Sequence, residues 1–448
     1  MGRITLKQAA AWCGGTVAPQ FEEVTFLGAC NDTRKLQPGQ LFVALAGVRD
    51  GHDFINAAME QGAAAVLCKY APADVPAIVV EDPRLALGAI AAGERQRIGM
   101  QVIGVTGSVG KSTTKEMIAT VLERTFTVAK TPANHNNDIG MPMAILSMPE
   151  DTQVAVLEMG MNHFREIAYL SNIAKPDMAV IINVGTMHME NLGSREGILQ
   201  AKLEILEGME DTAPLFVNAD NDLLDAWSRS HGASRFGTGE DCPVRAESVT
   251  EENGCIRYTV CARGQRFPIT LHLEGLHYVC DSLAAVSVGL LMGLMPQLIA
   301  KRLAAFRNME GRQEIFSAKD CTIIKDCYNA GPESMAAALA VLGRREGRRI
   351  AVLGDMLELG EHSLPAHRQV GMLAAQQADV LLSYGSFAEE MVQSARQAGI
   401  SQAEAFVDRK CMADRLKEIC CPDDVLLFKG SHGMHMELVL EQFLQEER

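Results

Sequence analysis

The fold class of this chain is decided by residues 105–114, which read Val105-Thr106-Gly107-Ser108-Val109-Gly110-Lys111-Ser112-Thr113-Thr114. A strand-like apolar segment precedes this stretch at 102–105, and a helix-like segment follows it at 115–122. A glycine-rich turn between a strand and a helix directs backbone N–H groups and the positive end of the helix dipole at one spot. We therefore predict a phosphate-binding loop in which Lys111 supplies a charge and Ser112 a hydroxyl for Mg²⁺. An ordinary glycine-rich turn is the alternative.

The composition and net charge of the chain exclude several classes of protein. With 48% hydrophobic and 22% charged residues, the 448-residue chain is that of a folded protein of several domains. A net charge of −15 argues against a nucleic-acid binder with a broad basic surface. The 12 cysteines form no C-x-x-C pair, so we expect free thiols in a reducing compartment. No signal sequence and no membrane-length apolar run is apparent, and we expect a cytoplasmic protein without a membrane span.

Alternating strand and helix signals predict an α/β protein of three domains. These are a small mixed α/β domain (1–82), a central P-loop-type domain with a parallel sheet (83–312) and a Rossmann-like α/β domain (313–448). The predicted strands of the second and third domains lie at 102–105, 154–159, 178–184, 321–324, 350–353, 380–384 and 425–428. Ligands of such sheets bind at the carboxyl ends of the strands, which is where we place the candidate residues.

Two candidates follow strands of the central domain. Glu158 ends an apolar strand, where a carboxylate is costly unless it is paired or bound to metal. Beside a phosphate loop we interpret it as a ligand of Mg²⁺, with a helix cap or an ion pair to Arg165 as the alternatives. His188 follows the strand at 178–184 and is either hydrogen-bonded scaffolding or a ligand.

Lys202 is the third candidate, because it falls inside the apolar stripe of a predicted helix at 195–209. That stripe consists of Ile198, Leu199, Ile205 and Leu206. Lysines at such places often extend along the helix edge to reach water. A desolvated lysine instead loses its proton and becomes reactive. Reaction with CO₂ would convert it to a carbamate, an anion able to bind a second Mg²⁺.

Further motifs complete the pattern. They are Asn134-His135-Asn136-Asn137-Asp138-Ile139-Gly140-Met141-Pro142, Leu157-Glu158-Met159-Gly160-Met161-Asn162-His163, His188-Met189-Glu190-Asn191-Leu192-Gly193-Ser194, Asp326-Cys327-Tyr328-Asn329-Ala330, the stretch 352–360 and Lys429-Gly430-Ser431. Together with the phosphate loop, whose glycines at 104, 107 and 110 depart from the standard spacing, they resemble the Mur ligase family over the whole chain. The stretches 50–54 and 352–360 are most similar to the member that adds a D-alanyl dipeptide.

The resemblance implies a role for each matching residue. The ATP-binding residues would be Thr106, Gly107, Ser108, Val109, Gly110, Lys111, Ser112, Thr113, Asn137, Arg312, Asp326, Tyr328 and Asn329. Two Mg²⁺ ions are implied, one held by Ser112 and Glu158, the other by His188 and a carbamylated Lys202. Asp32, Thr33 and Arg34 would bind the UDP end of the substrate. The catalytic residues would be Lys111, Glu158, His188 and Lys202.

The implied activity is ATP-dependent joining of D-alanyl-D-alanine to UDP-N-acetylmuramoyl-tripeptide through an acyl phosphate, a step of peptidoglycan synthesis. We expect a monomer that closes its third domain over the nucleotide and binds no nucleic acid. A sister ligase such as folylpolyglutamate synthase, or a P-loop regulator, remains the alternative. Tyr278, Asp281 and His432 depart from the family, where two asparagines and an arginine are usual.

Overall fold

The computed structural model describes residues 4–445, and its first part is a small α/β unit. The strands of this unit are β1 (Ile4–Thr5), β2 (Thr25–Phe26), β3 (Ala29–Cys30), β4 (Leu41–Val43), β5 (Ala65–Cys68) and β6 (Ala77–Val79), and its helices are α1 (Leu6–Cys13), α2 (Ile55–Glu60) and α3 (Pro83–Ile98). β1 and β2 pair antiparallel, and the other strands form a parallel sheet in the order β3-β4-β5-β6.

The central part is a nine-stranded sheet with helices on both faces. Its strands are β7 (Gln101–Thr106), β8 (Val128–Lys130), β9 (Val154–Glu158), β10 (Met178–Ile181), β11 (Leu215–Asn218), β12 (Ser234–Gly237), β13 (Val244–Glu252), β14 (Cys255–Ala262) and β15 (Gln265–Leu271). Its helices are α4 (Lys111–Leu122), α5 (Gly140–Leu146), α6 (Glu166–Ala174), α7 (Met189–Leu192), α8 (Arg195–Leu203), α9 (Asp222–His231), α10 (His277–Leu291) and α11 (Pro296–Ala305). The strand order is β15-β14-β13-β12-β11-β10-β7-β9-β8.

The C-terminal part is a six-stranded sheet in which five strands are parallel. Its strands are β16 (Glu314–Ala318), β17 (Cys321–Asp326), β18 (Arg349–Gly354), β19 (Val380–Tyr384), β20 (Gln402–Phe406) and β21 (Val425–Lys429). Its helices are α12 (Pro332–Gly343), α13 (Ser363–Gln377), α14 (Ala388–Gln397), α15 (Arg409–Ile419) and α16 (Met436–Leu444). The order is β16-β17-β21-β18-β19-β20, with β16 antiparallel to β17.

The predicted α/β class with parallel sheets is confirmed, but one part of the central sheet was not predicted and the ends of two predicted elements were wrong. The central sheet continues into the antiparallel strands β13, β14 and β15, which carry alternating polar residues that were not recognised. The strand predicted at 178–184 ends at Ile181, so 182–184 form a loop. The helix predicted at 195–209 ends at Leu203, and a 3₁₀ turn (Glu204–Gly208) leaves Leu206 37% exposed rather than in the apolar stripe.

Helix α3 shows how local chemistry sets the ends of an element. The Asp82 side chain accepts hydrogen bonds from the N–H groups of Arg84 and Leu85, at 2.8 and 3.3 Å. Pro83 begins the helix, and Gly99, with a φ of +71°, ends it. α3 packs against α1 and also against α5 and α6, so it lies between the first two sheets. The domain boundaries after residues 82 and 312 therefore stay a prediction.

The buried hydrophobic clusters do not correspond one to one to the sheets. One buried cluster runs from Leu67 of the first sheet through Leu87 of α3 to Leu157 of the central sheet. In the described part of the chain, the buried clusters on the two faces of the C-terminal sheet draw only on residues from 316 onward. The first two units thus share a core, whereas the C-terminal unit has its own. None of the helices within 4–445 combines the length and apolarity that crossing a membrane requires.

Candidate active site

The phosphate loop joins β7 to α4, and its last glycine has a fixed role. Gly110 caps α4 with a φ of +82°, and a Cβ at this position would lie 2.7 Å from Asp281 Oδ1. Only glycine meets both conditions without strain. Lys111 begins the helix, and its Nζ donates to the carbonyls of Gly107 and Ser108, at 2.9 and 3.1 Å. Burial lowers the pKa of this lysine. The helix begins four residues before the predicted start at 115.

Asn183, which sequence analysis missed, holds the loop in shape. Its Oδ1 accepts hydrogen bonds from the N–H groups of Ser108 and Val109, both at 2.9 Å, and its Nδ2 donates to the Val109 carbonyl at 2.9 Å. The Ser108 hydroxyl accepts in turn from the N–H of Gly185, at 2.9 Å. The sequence signal that could have identified Asn183 is the presence of an asparagine at the carboxyl end of a strand. It was hidden because 182–184 were assigned to the strand itself.

Glu158, Ser112 and Arg312 meet beside the loop. Glu158 is buried at the end of β9, where its Oε2 accepts from the Ser112 hydroxyl at 2.6 Å and its Oε1 from Asn136 Nδ2 at 2.8 Å. Arg312, which precedes the C-terminal sheet, donates from Nη2 to the same Ser112 hydroxyl at 2.9 Å. The buried Lys115 Nζ lies 3.7 Å from Glu158 Oε2. Residues distant in the chain thus converge on Ser112.

The carboxylate of Glu158 and the hydroxyl of Ser112 fit a magnesium ion. Both are hard oxygen ligands, and the alternative ion pair with Arg165 is not formed, because Arg165 pairs with Glu207. Within residues 4–445, no three His, Cys, Asp or Glu side chains are grouped closely enough to hold a metal by themselves. Mg²⁺ usually takes one or two carboxylates together with phosphate oxygens and water, so two protein ligands at a phosphate loop suffice.

His188 caps the short helix α7 and adopts a φ of +64°, which is unusual for a residue other than glycine. Its Nδ1 lies 3.1 Å from Glu358 Oε2 of the C-terminal part, although the two atoms are not aligned for a hydrogen bond. The imidazole and Lys111 lower the pKa of Glu358. The structure therefore brings His188 to the interface between the central and C-terminal sheets.

Lys202 lies on α8 with only 2% of its surface exposed. Burial of a lysine to this degree is unusual, because a buried charge is costly unless it is paired. Burial, together with the nearby charge of Lys111, lowers the pKa of Lys202 well below the usual value for lysine. Burial therefore shifts the balance towards the neutral amine, which is the form that reacts with CO₂.

The predicted residues of the C-terminal part lie at the end of β17 and around Arg312. The Arg312 guanidinium lies over the Tyr328 ring, 3.9 Å from its centre. Asp326, the last residue of β17, accepts from Lys429 Nζ at 2.6 Å, and the same Nζ donates to the carbonyl of Asn329 at 3.0 Å. The predicted residues of the C-terminal part therefore form one group, which reaches the phosphate loop through Arg312.

Two further sets of predicted residues make local hydrogen bonds of their own. Asp32 holds the guanidinium of Arg34 through bonds of 2.9 and 2.8 Å, which lowers the pKa of Asp32 to about 2, and Thr33 begins the 3₁₀ turn between them. Asn137 Oδ1 accepts from the N–H of Gly140 at 2.7 Å, at the start of α5. No side-chain hydrogen bond joins any of these residues to 106–113 in the described chain.

The unusual residues Tyr278 and Asp281 have structural partners. The Tyr278 hydroxyl accepts from Asn308 Nδ2 at 2.7 Å and donates to Gln313 at 3.3 Å. Asp281, buried on α10, accepts from the Thr114 hydroxyl of α4 at 3.0 Å. Burial raises the pKa of Asp281 to about 7. Asp281 thus joins α10 to the helix that follows the phosphate loop.

Three family models match the chain in sequence order. The model described as "Mur ligase family, catalytic domain" matches residues 23–95, "Mur ligase middle domain" matches 105–289 and "Mur ligase, glutamate ligase domain" matches 311–432. These matches extend over the four-, nine- and six-stranded sheets.

Individual proteins resemble the chain over nearly its whole length. The UDP-N-acetylmuramoyl-tripeptide–D-alanyl-D-alanine ligase of Bacillus subtilis (strain 168) is 37% identical, over 98% of each chain. A crystal structure of MurF from Acinetobacter baumannii superposes with a TM-score of 0.91 at 30% identity and covers 100% of both chains. MurF ligase from Thermotoga maritima, solved in complex with ADP, gives 0.81 at 30% identity, over 93% of this chain and 97% of that one.

Proposed function

The chain belongs to the Mur ligase family, and from this premise we propose that it joins D-alanyl-D-alanine to UDP-N-acetylmuramoyl-tripeptide in peptidoglycan synthesis, using ATP. The observation that carries the proposal is the similarity to the Bacillus subtilis ligase along 98% of each chain, because it extends over the N-terminal, central and C-terminal units. A protein that shared only nucleotide binding would resemble it in the central sheet alone.

The reaction needs two steps, because a carboxylate is too poor an electrophile for an amine. The substrate carboxylate first attacks the γ-phosphorus of ATP, which gives an acyl phosphate and releases ADP. The free amine of D-alanyl-D-alanine then attacks the acyl carbon, loses a proton and expels inorganic phosphate from the tetrahedral intermediate. The bound groups must be positioned and water excluded, since water would hydrolyse the acyl phosphate.

The phosphate loop would bind and orient the triphosphate. Thr106, Gly107, Ser108, Val109, Gly110, Ser112 and Thr113 lie directly before or at the start of α4, where those N–H groups that Asn183 does not hold would bind phosphate. Lys111 would exchange its two loop carbonyls for phosphate oxygens. We propose that Arg312, Asp326, Tyr328 and Asn329 close over the nucleotide from the C-terminal side, and that Asn137 supports the loop region.

We propose two magnesium positions. Ser112 and Glu158 would hold one ion, and His188 and Lys202 the other. Bound Mg²⁺ supplies neutralisation of the charge that accumulates between the phosphates and the substrate carboxylate. For Lys202 to serve as a ligand, its neutral amine adds to CO₂ and releases a proton, which leaves a carbamate anion. The burial of this amine, which favours its neutral form, supports this proposal.

The remaining assignments concern the substrate ends and the setting of the reaction. Asp32, Thr33 and Arg34 would bind the UDP moiety in the N-terminal unit, where Arg34 is exposed. One chain supplies every residue named above, so we propose an active monomer. A reaction that consumes ATP and a UDP-linked precursor is expected in the cytoplasm.

A coupled phosphate-release assay tests the function. We expect release of phosphate from ATP only when both the UDP-linked tripeptide and D-alanyl-D-alanine are present, and amide product in equal amount. Tripeptides ending in lysine and in diaminopimelate should be compared, with a folate and glutamate pair as the control for the sister ligase. Phosphate release at one rate with and without the dipeptide would contradict the proposal.

A further inference from the structure

The loop from Asn183 to His188 connects the phosphate loop to the C-terminal part. At its start, Asn183 accepts hydrogen bonds from the phosphate loop. In its middle, Thr186 donates from its N–H and its hydroxyl to Glu333 Oε1 of the C-terminal part, at 2.8 and 2.9 Å. At its end, His188 meets Glu358. Two carboxylates of the C-terminal part thus contact one loop of the central part.

His188 and Glu358 both have an unusual backbone conformation. Both residues have a φ of +64°, a left-handed conformation that disfavours side chains with a Cβ. Such conformations persist only where the surrounding structure imposes them, and they concentrate at functional positions. His188 and Glu358 are two such residues, and they lie opposite each other where the central and C-terminal parts meet.

The segment that carries Glu358 is fixed within the C-terminal part before it reaches His188. Asp355 accepts from the N–H of Ser386 at 2.7 Å, the N–H of Met356 donates to His367 Nε2 at 2.9 Å, and the N–H of Leu357 donates to the Ser431 hydroxyl at 2.9 Å. These bonds anchor three consecutive residues on the C-terminal sheet. The position of Glu358 is therefore set by that sheet.

The other end of the segment packs on the helix that His188 caps. A Cβ on Gly360 would lie 2.9 Å from the side chain of Glu190 in α7, so Gly360 permits this close approach. α7 and the 3₁₀ turn Gly360–His362 are in contact. The carboxylate of Glu358 consequently arrives beside the imidazole only when the C-terminal part is docked.

We propose that Glu358 is a positioning residue for His188. Although the two atoms are not aligned for a hydrogen bond, the negative charge of a carboxylate oxygen 3.1 Å from Nδ1 favours the tautomer with the proton on Nδ1. This tautomer leaves the lone pair of Nε2 free to bind a cation. The inference rests on the proposed role of His188 as a ligand. It adds that docking of the C-terminal part completes this ligand, which links metal binding to closure of the cleft.

The first test observes the imidazole without metal and without reaction. The protein is labelled with ¹⁵N in its histidine rings, and spectra are recorded with a non-hydrolysable ATP analogue and a chelator. The spectrum of His188→Gln assigns the His188 signals. We expect Nδ1–H in the wild type and the Nε2–H form, which free imidazole prefers, in Glu358→Ala. Glu361→Ala is the matched control, because Glu361 lies in the same segment with 91% of its side chain exposed.

The second test measures the magnesium dependence of ligation. Residues that orient a metal-binding histidine typically change metal affinity by about 10- to 100-fold when removed. We expect the half-saturating Mg²⁺ concentration of Glu358→Ala to rise about tenfold or more, and the KM for the UDP-linked tripeptide to stay unchanged, as in Glu361→Ala.

Unchanged His188 tautomer signals in Glu358→Ala would overturn the proposal, whatever the activity, and so would an unchanged magnesium dependence. Because the ring spectra need neither substrate nor metal, they separate this failure from failure of the proposed ligase function. A ligase that works with an unaltered tautomer disproves only the role of Glu358.

Discussion

At the scale of single residues, burial changes the chemistry of Lys202 more than any neighbour does. An ammonium ion removed from water is disfavoured, so the pKa of Lys202 lies well below the usual value for lysine and the balance shifts towards the neutral amine. The apolar stripe around Lys202 could be recognised in the sequence. That the side chain remains inside, instead of extending along the helix edge, depends on the packing of α8.

We expect Lys202→Ala to abolish ligation, because the variant cannot form the carbamate anion. Added acetate or formate should partly restore turnover by placing a carboxylate in the vacated space. Phosphate release at increasing acetate measures this, with chloride at equal ionic strength as the control. Full activity of Lys202→Ala without acetate would rule out the carbamate.

Asp281 is a second residue whose burial has a measurable consequence. Its pKa is about 7 in the folded protein against 3.8 for an unperturbed aspartate, mainly because burial disfavours the charged form. Between these values the folded state binds more protons than the unfolded state. This residue's contribution to stability is therefore fully present below pH 4 and is lost as the pH rises through 7.

Asp281→Asn removes this titration and can still accept the hydrogen bond from Thr114. We expect the variant to melt at a higher temperature than the wild type, with a larger difference at pH 8 than at pH 5. Thermal unfolding followed by circular dichroism at the two pH values provides the measurement. Equal differences at both would show that Asp281 does not titrate in this range.

At the scale of elements, the loop after β10 determines the shape of the phosphate loop. The motif at 105–114 predicted a strand, a turn and a helix, and the structure has all three. Which groups hold the turn open could not be predicted, because Asn183 is 75 residues away from Ser108 along the chain. β7 and β10 pair in a register that sets Thr106 opposite Ile181, and this pairing brings Asn183 close to Ser108.

We expect Asn183→Ala to weaken ATP binding about tenfold or more, because two N–H groups of the loop lose their acceptor and a buried N–H group without an acceptor costs about 1–3 kcal/mol. Isothermal titration with ATP measures the change. Asn172→Ala, on the exposed side of α6, should bind ATP as the wild type does. Equal affinity of Asn183→Ala and the wild type would show that the loop keeps its shape without this residue.

The antiparallel strands β13, β14 and β15 were missed for a related reason. Their alternation of buried and exposed residues is a weak signal beside the apolar runs of parallel strands. They extend the sheet at the edge opposite to β8, away from the phosphate loop. The omission therefore changed the description of the sheet and left the site prediction intact.

At the scale of the whole molecule, the cores determine which part can move. The first two units share a buried cluster, so moving one against the other would expose apolar surface. The C-terminal part has a core on each face of its own sheet, and it meets the central part through Arg312, Glu333 and Glu358. Polar contacts of this kind can exchange with water at little cost, which suits a part that opens and closes.

We expect a fragment of residues 311–445 to fold alone and to melt cooperatively, because its cores need no other unit. A fragment of residues 1–98 should not, because it would expose the cluster that it shares with the central sheet. Circular dichroism melting of both fragments tests this. Cooperative melting of the shorter fragment, or none of the longer one, would contradict this division of the cores.

The sequence by itself determined the α/β class, the phosphate loop, the family and the candidate residues Glu158, His188 and Lys202. It could do so because these depend on short-range patterns: strand, glycine turn and helix, or a charge within an apolar run. Only the tertiary structure decided that Asn183 supports the loop, that Arg312 reaches Ser112 and that Glu358 meets His188. Such contacts join residues tens to hundreds of positions apart, and strand register and domain docking create them after the local elements have formed.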